Sequence, residues 1–359
     1  LTDGNDNVAI GYQALTTDTQ GDNSVAIGVN ALFSQNGTNG SVYNVAVGKS
    51  AGFAITTGLQ NTLIGGLAGD ALTDADNNIA IGYGALSADT LGSTSIGIGV
   101  LALAEQNFTT ATDVYNVAIG FRAGEKVTTG IENTIIGALT GDALTEGGLN
   151  VAVGASALGV DTKGSRNVAV GVSALNQQNF TTATTSYNTG VGYQAGGAVT
   201  TGIQNTLIGA LAGDALTDAD FNVAVGIAAL SADTLGSRST AIGDNALAAQ
   251  NFTTATNTYN TAVGFNAGLA VTTGVQNTLV GGLAGGAITT GQNNVSLGAF
   301  SLDAEVAGNK SIAIGTYALS GQSSATSTDV YNTAVGHSAG QSVTTGTLNT
   351  LIGGLAGDA

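Results

Sequence analysis

The block Asn7-Val8-Ala9-Ile10-Gly11, followed two residues later by Ala14-Leu15, recurs along the entire chain. Its Gly stands at 11, 28, 48, 65, 82, 99, 120, 137, 154, 171, 192, 209, 226, 243, 264, 281, 298, 315, 336 and 353, which makes 20 copies. The steps are 17 residues long, except for every fourth, which is 20 or 21. A fixed period of this size marks a solenoid, in which each turn buries its apolar face against its neighbours. The expected fold class is therefore all-β: a parallel β-roll, or β-solenoid, of 20 coils.

A longer period lies over the first. The residue after the block's Ala runs Leu15, Leu32, Gly52, Gly69, then Leu86, Leu103, Gly124, Gly141, and so on. Four coils form one super-repeat, and the chain reads as a single array of five: 1–71, 72–143, 144–215, 216–287 and 288–359. The end Gly357-Asp358-Ala359 and the start Leu1-Thr2-Asp3 join as the sequence found internally from Gly69 to Asp74. With no Met and no atypical capping repeat, this predicts a window on a longer tandem array.

Within the block, position two is always Val, Ile or Thr and position four always Ile, Val or Leu. Such residues favour a pleated strand and share one of its faces. Position three, on the other face, is mostly Ala, becoming Leu or Ile in every fourth coil (Leu63, Ile135, Leu207, Leu279, Leu351). A strand apolar on both sides is buried on both sides. One face is expected to line the coil; the other, read here as the Ala and Gly side where backbones approach closely, is expected to meet another chain. The polar half of each coil, such as Val160 to Arg166, predicts a second, solvent-facing strand and its turns. Asn opens 16 blocks and Ser the other four, so stacked Asn ladders are expected between coils. Absence of Pro leaves every backbone N–H able to pair with the next coil. At roughly 4.8 Å per coil, 20 coils would span on the order of 95 Å.

Composition narrows the function. A net charge of −17 disfavours nucleic acid and anionic lipid as partners, and no apolar run reaches the roughly 20 residues that direct membrane insertion requires. Zero Cys excludes disulfides and thiolate metal sites. A single His, His337, leaves little from which to build a triad or a His-rich metal site, and its block position also holds Lys49, Tyr193 and Phe265. Asp70, Asp74 and Asp76 suggest calcium only weakly, because their nearest equivalents lie four coils away. The chain is read as having no catalytic residues, no metal and no cofactor, and as not being an enzyme.

Every fourth gap carries a longer loop: Phe33 to Tyr43, Asn107 to Tyr115, Asn179 to Tyr187, Asn251 to Tyr259 and Ser320 to Tyr331. Tyr43, Tyr115, Tyr187, Tyr259 and Tyr331 close all five, and Phe33, Phe108, Phe180 and Phe252 lie in four of them. Two roles fit these rings: a ladder of weak surface contacts made effective by repetition, or, the more ordinary one, covering each loop's own apolar base. Asn36, Asn107, Asn179 and Asn251 begin sequons, which matter only in a host that glycosylates secreted proteins. Arg166, Arg238 and Lys310 share one super-repeat position and are expected to balance nearby acids.

Asn23-Ser24-Val25-Ala26-Ile27-Gly28, Asn7 to Gly11 and Asn222-Val223-Ala224-Val225-Gly226 resemble the head repeat of trimeric autotransporter adhesins, the YadA-like head. The resemblance covers the whole chain. It implies a left-handed parallel β-roll, a homotrimer, display at a bacterial cell surface and adhesion to a host or environmental surface ligand. The 17-residue coil is longer than that family's usual one, and the four-coil super-repeat is not part of its basic motif. The leading expectation is an extracellular structural and adhesive fibre. A phage tail-fibre shaft on a virion, recognising a host receptor, and a purely mechanical filament are the alternatives.

Overall fold

Each block becomes a three-residue strand, since β-branched residues on either side of a small one suit a pleated backbone. In the computed structural model, which describes residues 1–37 and 40–358, no α-helix occurs among the described residues. The strands are parallel and pair in register with the same block positions one coil on, as in Val25↔Val45, Ala26↔Ala46 and Ile27↔Val47. The chain is a parallel β-solenoid of about 20 turns. It divides into two compact units, Leu1–Ser186 and Tyr187–Ala359, each holding ten of these strands. The first runs from Val8–Ile10 to Val168–Val170, and the second from Thr189–Val191 to Thr350–Ile352.

The two faces of the strand are the reverse of the expected ones. Position three points inward: Ala26, Ala46, Ala80, Ala118 and their equivalents are fully buried inside the coil. The branched residues on either side, such as Val25 and Ile27, point outward and stay partly exposed. The reason lies in what else fills the interior. Leu15, Leu32, Leu86 and Leu103, four residues after the block Gly, fold under the strand and leave room there only for Ala. In the other two coils of a super-repeat that position is Gly52 or Gly69, and the freed space is taken by Leu63 from the strand above. A Cβ added to Gly52 would lie 2.8 Å from Leu63 Cδ1, and one added to Gly69 would lie 2.8 Å from Leu63 Cδ2. Ile55 and Leu72 complete the fill. The Leu-Leu-Gly-Gly period is therefore a packing alternation.

The predicted Asn ladder is present. Asn133 Oδ1 accepts the backbone N–H of Asn150 (3.1 Å), and Asn150 Oδ1 accepts that of Asn167 (2.9 Å). The Nδ2 groups of Asn133 and Asn150 each donate to a carbonyl 14 residues on, Gly147 O and Gly164 O (both 3.0 Å). All three side chains are buried, so each rung satisfies groups that water cannot reach.

Among the described residues, the predicted second strand forms only beside the long loops. Gly21–Asp22 pairs with Gly40–Ser41, Gly92–Ser93 with Thr112–Asp113, Gly164–Ser165 with Thr184–Thr185, Gly236–Ser237 with Thr256–Asn257, and Gly308–Asn309 with Thr328–Asp329. These two-residue ladders are also parallel. Elsewhere in the polar half, coils are joined by isolated bonds such as Thr73 N–H to Thr90 O (2.9 Å). Those segments are rich in Gly, Asp and Thr, whose local backbone preferences favour turns over extended pairing.

Candidate functional site

The long loops are built on a buried latch that the sequence reading did not identify. Asp89 is fully buried and has its Oδ1 bonded by the N–H groups of Gly92 (3.1 Å) and Phe108 (3.0 Å). Its Oδ2 accepts Gln106 Nε2 (2.5 Å), which also donates to Ser95 Oγ (3.0 Å). Gln106 Oε1 in turn accepts Asn116 Nδ2 (2.9 Å), joining the latch to the Asn ladder. Ser opens this block in four super-repeats, while Asn167 opens it in the third, where Asp161 and Gln178 make the same latch. Asp18 with Gln35 and Asp233 with Gln250 repeat the arrangement. In the last super-repeat Glu305 replaces the Asp, and Ser324 replaces the Phe while donating its N–H to Glu305 (3.0 Å). Burial pushes the Asp89 carboxyl above its ordinary pKa, against the pull of these hydrogen bonds. The available signal was an acid at one fixed super-repeat position with Gln 17 residues on.

The latch draws Phe inward. Phe108, Phe180 and Phe252 are only 6–8% exposed, so these three candidate contact residues cover the base of their loops instead of facing a ligand. Phe33 occupies a different place, four residues before the Phe108 position, which is Gly37 in that loop, and stacks on Phe53 with ring centroids 5.1 Å apart. In that first loop, Thr38 and Asn39 lie outside the described residues.

The five Tyr behave oppositely. Tyr43, Tyr115, Tyr187, Tyr259 and Tyr331 are 48–56% exposed. All five have φ between 52° and 56°, a left-handed conformation that Asn or Gly adopts more readily than Tyr. Both chain neighbours anchor the backbone at each Tyr: Val114 and Asn116, flanking Tyr115, are fully buried. The ladder residue two before each Tyr, and the residue just after the ladder strand one coil earlier, are polar in all five super-repeats. Asn23 Nδ2 donates to Ser41 Oγ (3.0 Å), Arg166 Nη1 to Thr185 Oγ1 (3.3 Å) and Arg238 Nε to Asn257 Oδ1 (3.0 Å). Lys310 Nζ pairs with Asp329 Oδ2 (2.7 Å) and also reaches Tyr331 Oη (3.1 Å). Hydrogen bonding to Lys310 holds the Asp329 carboxyl below its usual range. Arg238 also lies over the Phe221 ring, 4.6 Å from its centre. Of the three basic residues expected to balance acids, Lys310 pairs with Asp329, while Arg166 and Arg238 donate to a hydroxyl and an amide.

Two of the three acids weighed for calcium serve other partners. Asp74 accepts Thr57 Oγ1 (2.5 Å), and Asp76 accepts the N–H of Leu59 (2.7 Å). Asp70 Oδ1 is buried without a partner, and burial raises its pKa, as it does for Asp142, Asp214 and Asp303. Among the described residues, no three His, Asp or Glu side chains are grouped to hold a metal ion.

The second candidate surface is the outward side of the main strands. Positions two and four carry Val, Ile, Leu or Thr in all 20 coils, with no charge anywhere on the face. Just after the block Gly, Tyr12, Tyr83, Phe121, Tyr193 and Phe265 border it with apolar rings, each more than half exposed, while Lys49 and Asp244 place charge at that bordering position in two coils. No protein-family model matches the chain, and no curated protein or solved structure matches it either.

Proposed function

We propose that this chain is an extracellular structural and adhesive fibre, assembled as a homotrimer through the outward Val/Ile face of its strands. One observation carries the proposal: an acidic protein of net charge −17 keeps a continuous strand face entirely free of charge in each unit. Isolated apolar residues at a surface are ordinary, but a contiguous patch of this kind marks an interface. Two partly exposed branched side chains per coil, over ten coils, offer on the order of 800 Å², about what one partner contributes to a standard interface. Another copy presents the same residues at the same spacing, so the face is self-complementary, and closed symmetry is the usual outcome for such surfaces. The resemblance to YadA-like heads supplies the number three and the bacterial surface.

In this reading the coils provide length and stiffness through backbone pairing, the Asn ladder and the latch. Adhesion falls to residues away from the apolar face, chiefly the exposed Tyr. The test is the mass of the purified protein by light scattering after gel filtration. The account expects three times 34.9 kDa. A clean monomer at micromolar concentration would overturn it.

A further inference from the structure

The Tyr that closes each long loop has the properties of a ligand platform. It sits in a backbone conformation that disfavours it, and its ring is half exposed, so burial does not offset the strain. The same point of other coils has the same conformation and holds residues as different as Asn77, Glu132, Leu149 and Phe221, so the fold does not dictate Tyr there. Yet this one coil of the super-repeat carries Tyr all five times.

We propose that these Tyr, each with its two flanking polar side chains, bind a neutral polysaccharide laid along the solenoid. The proposal rests on the adhesive reading above and names its ligand class. A pyranose ring has a flat face of C–H groups and a rim of hydroxyls that donate and accept. A half-exposed Tyr ring matches the face, and the paired side chains Asn23 and Ser41, Arg238 and Asn257, or Lys310 and Asp329 match the rim. Thr94 and Asp113 hold the same places beside Tyr115.

Two observations select this class over others. The net charge of −17 repels an acidic polymer. A peptide strand would need an unbroken row of open backbone groups, but the row is interrupted beside the Tyr: Val114 N–H bonds Ser93 O (3.0 Å), and Val114 O accepts Glu132 N–H (2.9 Å). Successive platforms within a unit (Tyr43 and Tyr115, or Tyr187, Tyr259 and Tyr331) lie four coils apart, roughly 19 Å at strand spacing, a span of several sugar units. One extended chain therefore meets platforms in succession, and weak individual contacts add as avidity.

The test is affinity electrophoresis of the full chain in gels containing hydroxyethyl cellulose, laminarin or galactomannan, with alginate as the acidic comparison. The proposal expects retardation by at least one neutral polymer. The variant combining Y187A, Y259A and Y331A should weaken it about tenfold or more, with mass and melting temperature unchanged. Phe at the same three positions should retain most of it, because the ring face carries the contact. Retardation by none of the neutral polymers, or by alginate alone, would overturn the proposal. So would an Ala variant retarded like the parent, or a Phe variant as weak as the Ala one. A trimer that binds no neutral polysaccharide overturns this inference and leaves the fibre standing. A monomer that is retarded through its Tyr does the reverse.

Discussion

At the scale of single residues, glycine and asparagine determine how coils stack. Gly281 has φ +134°, and a Cβ there would lie 2.6 Å from the carbonyl carbon of Gly298 and 2.7 Å from its oxygen in the next coil. Neither atom can yield, because both belong to a hydrogen-bonded backbone. Gly282 next to it has nothing within 4 Å of its missing Cβ. Replacing Gly281 by Ala should therefore cost about 3 kcal/mol, while Gly282→Ala should change stability by about 0.5 kcal/mol or less. Urea denaturation of the two variants beside the parent checks this. Equal midpoints for the two variants would show that the coils do not approach this closely.

At the scale of the coil, much was legible in the sequence and one feature was read backwards. The alternation of Val, Ala and Ile announced a strand apolar on both faces, and the Asn before it announced the ladder that Asn133 and Asn150 make. Nothing in the block alone tells which face is inside. That is decided by Leu15 and its equivalents, which fill the interior from a turn and leave only Ala-sized room beneath the strand. The same complementarity explains Leu63 between Gly52 and Gly69, so the super-repeat encoded the answer in residues outside the block. Within the candidate site, the aromatic loops were visible but their division of labour was not. Phe108 is drawn in because its N–H bonds the buried Asp89, a contact between residues 19 apart. Tyr115 stays out because it lies between two buried neighbours whose side chains take the inward directions.

At the scale of the whole molecule, electrostatics predicts an unusual response to acid. Burial raises the carboxyl pKa of Asp70, Asp89, Asp142, Asp214 and Asp303 above the ordinary value. Over that interval the folded protein holds more protons than the unfolded chain, so these groups destabilise the fold as pH rises through their folded pKa. Their effect is most favourable below the ordinary carboxylate range near 4. Acidification also reduces the self-repulsion of a chain carrying −17. The exposed Lys310–Asp329 pair acts in the opposite sense, but solvent screens it. Melting temperature should therefore rise as pH is lowered from 7 toward the ordinary carboxylate range near 4. A steady fall over that range would show that the buried carboxylates are stabilised in their charged form.

The central claim is that the outward strand face is covered by other copies of the chain, and accessibility of that face tests it most directly. The protein has no Cys, so a single introduced thiol reports alone. Ile98 stands outward on its strand, while Tyr115, outside the strands and half exposed, serves as the exposed control. In the assembled protein, the Ile98→Cys thiol should react with a maleimide at least tenfold more slowly than the Tyr115→Cys thiol, and at the same rate once the chain is unfolded in urea. Equal rates in the native protein would mean that the Val/Ile face is open to solvent, and the fibre would need another basis for assembly.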